Sequence, residues 1–156
     1  LDCAVEAYED CKNNKVTEKF EQVTLIILVS TGMVSMLINP VYNGALAHAL
    51  FYGLTELNGF EEKFLHGDVV GFCTTVQLIL DNKQEDAKKI SEIISKMGVE
   101  TTLSARGIDV SFENLEKVID SALNDPDMKV IPYEITKEMI FNAIKKSEEM
   151  FGGKVV

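Results

Sequence analysis

Along most of this chain apolar side chains recur every three or four positions, and few stretches alternate with the period of two that marks a half-buried strand. Ala4, Ala7, Tyr8 and Cys11 follow the helical spacing and predict a helix over 1–13, ended by Asn13-Asn14. Thr17 or a neighbour opens a second helix, with Glu18, Lys19 and Glu21 in a wet first turn. From Val23 to Thr55 there is no Asp, Glu, Lys or Arg. A third helix fits 41–57 and closes at the turn pair Asn58-Gly59. A connector over 60–65 carries exposed Glu61, Glu62 and Lys63. A fourth helix fits 67–81, uncharged from Val69 to Leu80 and stopped by Asn82.

The pattern turns amphipathic after Gln84. Ala87, Ile90, Ile93, Ile94 and Met97 share one side of a helix that Gly98 caps. Residues 101–105 read as a short turn or helix. Ser111 caps a helix through Leu123 with Phe112, Leu115, Val118, Ile119 and Ala122 inward, broken by Asp125-Pro126. Thr136 caps the last helix, whose periodic residues are Met139, Ile140, Ala143, Ile144 and Met150, ending at Gly152-Gly153. No repeat, low-complexity segment or domain boundary interrupts this series. The expected fold is all-α: a single domain over 1–156, a bundle of roughly seven helices with the uncharged ones central.

The uncharged span calls for a membrane check. Its most apolar part, residues 24–38, is about fifteen residues long, short of the twenty or so that cross a bilayer. Pro40 ends the run, and basic flanking anchors are missing. The expectation is therefore a core helix, apolar all round because other helices surround it, with no membrane partner.

Composition narrows the function classes. The 156 residues are 46% hydrophobic and 26% charged, a globular balance with enough chain for a sizeable core. A formal net charge of −10 disfavours nucleic acid and anionic membrane surfaces, which require a basic stripe. Three cysteines, Cys3, Cys11 and Cys73, form no C-x-x-C pair. That argues against a disulfide framework or a cysteine zinc site, fits a reducing cytoplasm, and leaves the thiols as small core residues. The chain begins at Leu1 inside what reads as a helix with no preceding cap, as expected of a fragment, a processed product or a truncated homologue.

Two histidines stand out in the uncharged region. His48 and His66 are the only ones in the chain, eighteen residues apart. A buried neutral imidazole needs a hydrogen-bond partner for each ring nitrogen or a metal for one of them, and imidazole is a common ligand of zinc and iron(II). Both readings, two core histidines or two ligands of one ion, stand on the residues alone, because a gap of eighteen is no local chelate spacing. A carboxylate is the usual third ligand in a site with open positions. Asp2 is a candidate, and Asp68 is another, though an acid in a helix's first turn has an electrostatic reason to be there.

The segments His48-Ala-Leu-Phe-Tyr-Gly-Leu54 and His66-Gly-Asp-Val-Val-Gly-Phe72 resemble the metal region of the glycerol dehydrogenase family, a branch of the iron-containing alcohol dehydrogenase superfamily. Val76-Gln-Leu-Ile-Leu80 and Gly98-Val-Glu-Thr-Thr-Leu103 are similar to two further family elements, and Asp2-Cys-Ala-Val-Glu-Ala-Tyr-Glu9 resembles the helix that carries the family's ligand aspartate. The resemblance implies the C-terminal helical domain of a dehydroquinate synthase-like fold. It implies Asp2, His48 and His66 as ligands of Zn2+, with Fe2+ the alternative, and a metal that polarises the hydroxyl of a small polyol for hydride transfer to NAD. NAD itself is expected on an N-terminal dinucleotide-binding domain, and no G-x-G-x-x-G segment is present to supply one. The isolated chain is accordingly expected to be inactive, and a homo-oligomer is compatible with the resemblance.

Several residues depart from that family pattern. Cys11 runs almost directly into the helix after Val16, where the family has an extra helical segment. Only Gly44 stands where the family has Gly-Gly, and Phe51 occupies a position that is often polar. These departures keep two other readings open: a catalytically incomplete helical scaffold, and a glycerol-1-phosphate dehydrogenase. The second is disfavoured because no Lys or Arg lies between Gln22 and Lys63 to meet a phosphate.

Overall fold

A computed structural model describes residues 1, 3–39 and 42–153. Among these residues the structure is all-helical with no strand. The chain divides into two compact units, Leu1–Asn43 and Gly44–Val156.

In the first unit α1 (Ala4–Lys12) packs against α2 (Glu18–Leu25). Asn14 turns the chain with φ +53, and Thr17 caps α2 as expected, its Oγ1 accepting from the Phe20 N–H at 3.3 Å. Thr17 also donates to Asp10 Oδ2 at 2.5 Å, and Lys19 pairs with Glu6, so both ends of the turn are tied. The helix continues from α2 through a π-helical segment (Ile26–Thr31) into α3 (Gly32–Leu37). Thr31 Oγ1 donates to the Ile26 carbonyl five residues back, in step with the wider π turn.

This stretch corrects an expectation. Residues Glu18–Leu37 form twenty helical residues, and none of them is buried. Ile26, Ile27, Leu28, Met33, Met36 and Leu37 all stand more than half exposed. The core helix expected here is thus not in a core. Within its own unit the other helix is α1, which buries only Ala7. The stretch also has the length and composition to cross a bilayer, because its capped first turn extends the run beyond the apolar residues themselves.

The second unit holds the hydrophobic core. Its centre is α4 (Leu46–Thr55), where Leu46, Ala47, Ala49, Leu50, Phe51, Gly53 and Leu54 are all buried. A helix with that many buried positions must be covered on several sides, and α6 (His66–Leu80) and α8 (Phe112–Asn124) cover it. One turn of helix, α5 (Phe60–Lys63), bridges α4 to α6 after Gly59, whose φ of +69 suits a residue without a Cβ. The far side of α6 packs on α7 (Gln84–Lys96) and α9 (Lys137–Phe151). A 3-10 turn at Pro126–Val130 also touches α4.

The predicted caps hold. Ser111 Oγ accepts from Asn114 N at 3.4 Å and Thr136 Oγ1 from Met139 N at 3.3 Å. Gly98 follows α7 with φ +80. Leu115, Val118, Ile119 and Ala122 of α8 and Ile140, Ala143 and Ile144 of α9 lie inward as their spacing required. Phe112 and Met139 instead remain 39% exposed, each within the first three residues of its helix. Of the cysteines only Cys73 is a core residue; Cys3 is half-buried and Cys11 exposed.

Candidate metal centre

His48 is the third residue of α4 and His66 the first of α6. The bridge through α5 folds the second helix back beside the first, so residues eighteen apart in sequence meet in space. Their ring centroids lie 5.7 Å apart with the planes tilted by 45°. The edge of Phe51, one turn after His48, packs against His66 with centroids 4.4 Å apart, and Tyr52 packs in turn on Phe51.

The spacing suits a shared ion. With metal–nitrogen bonds of about 2.0–2.1 Å, two imidazoles that share an ion have ring centres at most about 6.4 Å apart, and 5.7 Å falls inside that limit. Among the described residues neither imidazole takes part in a hydrogen bond, so nothing there competes for the nitrogens.

The exposure of the pair differs from the sequence reading. His48 is half-buried and His66 exposed, so the site opens at the surface rather than inside the core. A helix's first residue has only one turn of neighbours to cover it, which the uncharged sequence around His66 did not convey.

The carboxylates divide in two. Asp2 lies outside the described residues. Asp68 does not join the histidines: among the described residues no three of His, Cys, Asp and Glu are gathered tightly enough to hold an ion. It keeps the alternative role of an acid in the first turn of α6.

Two further residues secure this region, and neither was singled out by sequence reasoning. Arg106, the chain's single arginine, lies over the Phe64 ring at 5.3 Å. Its Nη2 donates to the carbonyls of Asp68 at 3.0 Å and Glu100 at 2.6 Å, tying the loop after α7 to the first turn of α6. Burial lowers its pKa, against the opposing pull of the Asp68 carboxylate. Glu148 of α9 anchors the same loop between Glu100 and Arg106, accepting from Leu103 N at 2.7 Å, Ser104 N at 3.4 Å and Ser104 Oγ at 2.5 Å. A lone arginine in an acidic chain was the available signal for the first. The second carried none, because its partners lie more than forty residues away.

Comparison with known proteins points to one class. No family model matches the chain, but it is similar to dehydrogenases. Over 150 residues it is 29% identical to hydroxycarboxylate dehydrogenase A of Escherichia coli (strain K12), an alignment covering 95% of this chain and 41% of that protein. Over 134 residues it is 29% identical to glycerol dehydrogenase 1 of Schizosaccharomyces pombe, covering 83% of this chain and 28% of that protein. The chain therefore spans less than half the length of these two relatives.

Proposed function

We propose that the chain supplies the metal-binding part of an NAD-dependent dehydrogenase acting on a small alcohol that carries a second oxygen close to its hydroxyl. The observation that supports this most is the approach of the chain's only two histidines to 5.7 Å, in a sequence similar to two dehydrogenases. In this reading His48, His66 and Asp2 hold one zinc ion, with iron(II) the alternative. A bound ion supplies Lewis-acid polarisation of the substrate hydroxyl.

The chain's own residues have separate tasks. His48 and His66 would each offer a ring nitrogen to the ion. Phe51 holds the His66 ring edge-on and keeps water from that side of it. The exposed face of His66 leaves room for substrate to approach. A nicotinamide, were one bound, would supply the hydride acceptor. The names of the relatives, one acting on a hydroxycarboxylate and one on glycerol, both describe molecules with a hydroxyl and further oxygens. A vicinal polyol is the substrate class put first, because an ion held by His48, His66 and Asp2 would polarise a hydroxyl that has a second oxygen beside it.

Metal analysis of the chain purified in the presence of Zn2+ tests the reading. One equivalent in the unaltered chain and a loss in His66→Ala and His48→Ala is the expected result. Equal metal content in all three overturns it. A scaffold without turnover is the second reading, favoured by the exposed apolar stretch at Glu18–Leu37; NADH formation by this chain alone from NAD and glycerol excludes it.

A further inference from the structure

The glutamine of the Val76–Leu80 motif touches the helix that carries His48. The Ala47 N–H donates to Gln77 Oε1 at 3.0 Å, across thirty residues of sequence. Ala47 is the second residue of α4, immediately before His48.

The start of α4 explains why that bond matters. The first N–H groups of a helix have no partner within the helix, and a side chain at the N-cap normally accepts one of them. Here the N-cap is Ala45, which has no side-chain acceptor. The end is also buried: Leu46 is 0% and Ala47 8% exposed, so water is a poor substitute. The amide oxygen of Gln77, delivered from α6, does the work of the missing cap.

That oxygen comes from the helix that also carries His66. Eleven residues separate His66 from Gln77, about three turns, so they lie within about 20° of each other around α6. α4 begins beside Gln77 and by Phe51 has reached His66. The two helices run in opposite senses, with the polar tie at Ala47, one residue before His48, and His66 about three turns from Gln77 along α6. A slide of α4 along α6 would break the tie and separate the rings together.

We propose that Gln77 is a positioning residue for the histidine pair: its side-chain cap on Ala47 fixes the register of α4 against α6, and so sets the distance from His48 to His66. This rests on the metal reading above. Loss of a hydrogen-bond partner that orients a ligand imidazole lowers metal affinity by about 10–100-fold, and loss of this tie one residue from His48 is expected to reach the lower end of that range.

Titration of the full chain with Co2+, followed by visible absorption, tests the proposal without reference to activity. Gln77→Leu is expected to weaken Co2+ binding at least about tenfold. Gln77→Glu keeps an acceptor at the helix N-terminus and is expected to stay within about threefold of the unaltered chain. Ile144→Val, a mild core change on α9, is expected to leave affinity unchanged. Should Gln77→Leu not fold, Gln77→Asn replaces it, its amide stopping one methylene short. Unaltered affinity in the Leu or Asn variant overturns the proposal, as does an equal loss in Ile144→Val. A failure of the unaltered chain to bind Co2+ overturns the metal reading itself, and the proposal with it.

Discussion

Replacing Gly53 by alanine sets two effects of known size against each other on the helix that carries His48. Gly53 lies inside α4, where an alanine is worth about 1 kcal/mol more than a glycine in helix propensity. Against that gain, a Cβ at this position meets the backbone carbonyl oxygen of Val118 at 2.3 Å, its carbon at 3.1 Å and Val118 Cγ1 at 3.2 Å. A comfortable carbon–oxygen contact is about 3.3 Å, so α4 and α8 must part by about 1 Å. The obstacle is backbone, and α8 is held in place by Leu115, Val118, Ile119 and Ala122, all fully buried. Overpacking of this kind costs about 1–3 kcal/mol, and parting the helices adds voids at about 1 kcal/mol per methyl-sized gap. The clash wins, by about 1–3 kcal/mol net, equivalent to a fall in melting temperature of about 3–10 °C.

Gly71 provides the control on α6. A Cβ there meets only the Ile94 side chain, at 3.7 and 3.9 Å, which is ordinary contact. Gly71→Ala is therefore expected to raise stability by about 0.5–1 kcal/mol. Urea unfolding followed by circular dichroism reads both variants. Opposite signs are expected; a Gly53→Ala chain as stable as Gly71→Ala would refute the close approach of α4 and α8.

Three other outcomes follow from the same contacts. Ser147 is fully buried, and its hydroxyl has no partner among the described residues, so Ser147→Ala should raise the denaturant midpoint, with a gain of about 1 kcal/mol. Glu148→Ala removes the acceptor for Leu103 N and both Ser104 donors, and should cost about 2–3 kcal/mol while speeding proteolysis of the 99–110 loop; unchanged protease resistance would contradict the anchoring role. Burial raises the Cys73 thiol pKa far above its ordinary value, so the thiolate that reacts is scarcest there. At pH 8 the native chain should react with a thiol reagent at Cys11 and more slowly at Cys3, with Cys73 reacting only on unfolding. Rapid labelling of Cys73 in the native chain would contradict its burial. Because the raised pKa disfavours the thiolate only in the folded state, this contribution to stability is intact below the unfolded thiol pKa and is lost as pH rises above it.

Helix positions and caps were legible because they depend on local chemistry. Thr17, Ser111 and Thr136 each cap a helix through a side-chain oxygen three residues from its donor, and Gly98 takes the positive φ that follows a helix. What failed was the inference from apolarity to burial. Val23 to Ile38 is free of charge, and so is α4, yet one is exposed and the other central. Hydropathy records what a side chain avoids, and says nothing about which neighbours are at hand to cover it. His66 was misjudged for the same reason. The meeting of the two histidines could be suspected from their isolation, but their distance depends on the bridge through α5 and on the cap from Gln77. That cap, and the ties made by Arg106 and Glu148, join residues thirty or more positions apart, where no periodicity connects them.

The chain's two histidines make the central claim open to one direct measurement. In a long-range 15N–1H spectrum of the uniformly labelled chain, the ring nitrogens of His48 and His66 give the only imidazole signals. Titration with Zn2+ should shift one nitrogen of each ring together and reach completion at one equivalent, with both rings locked in a single tautomer. Shifts confined to one ring, two rings titrating at separate equivalents, or no shift at all would contradict a single ion shared by His48 and His66.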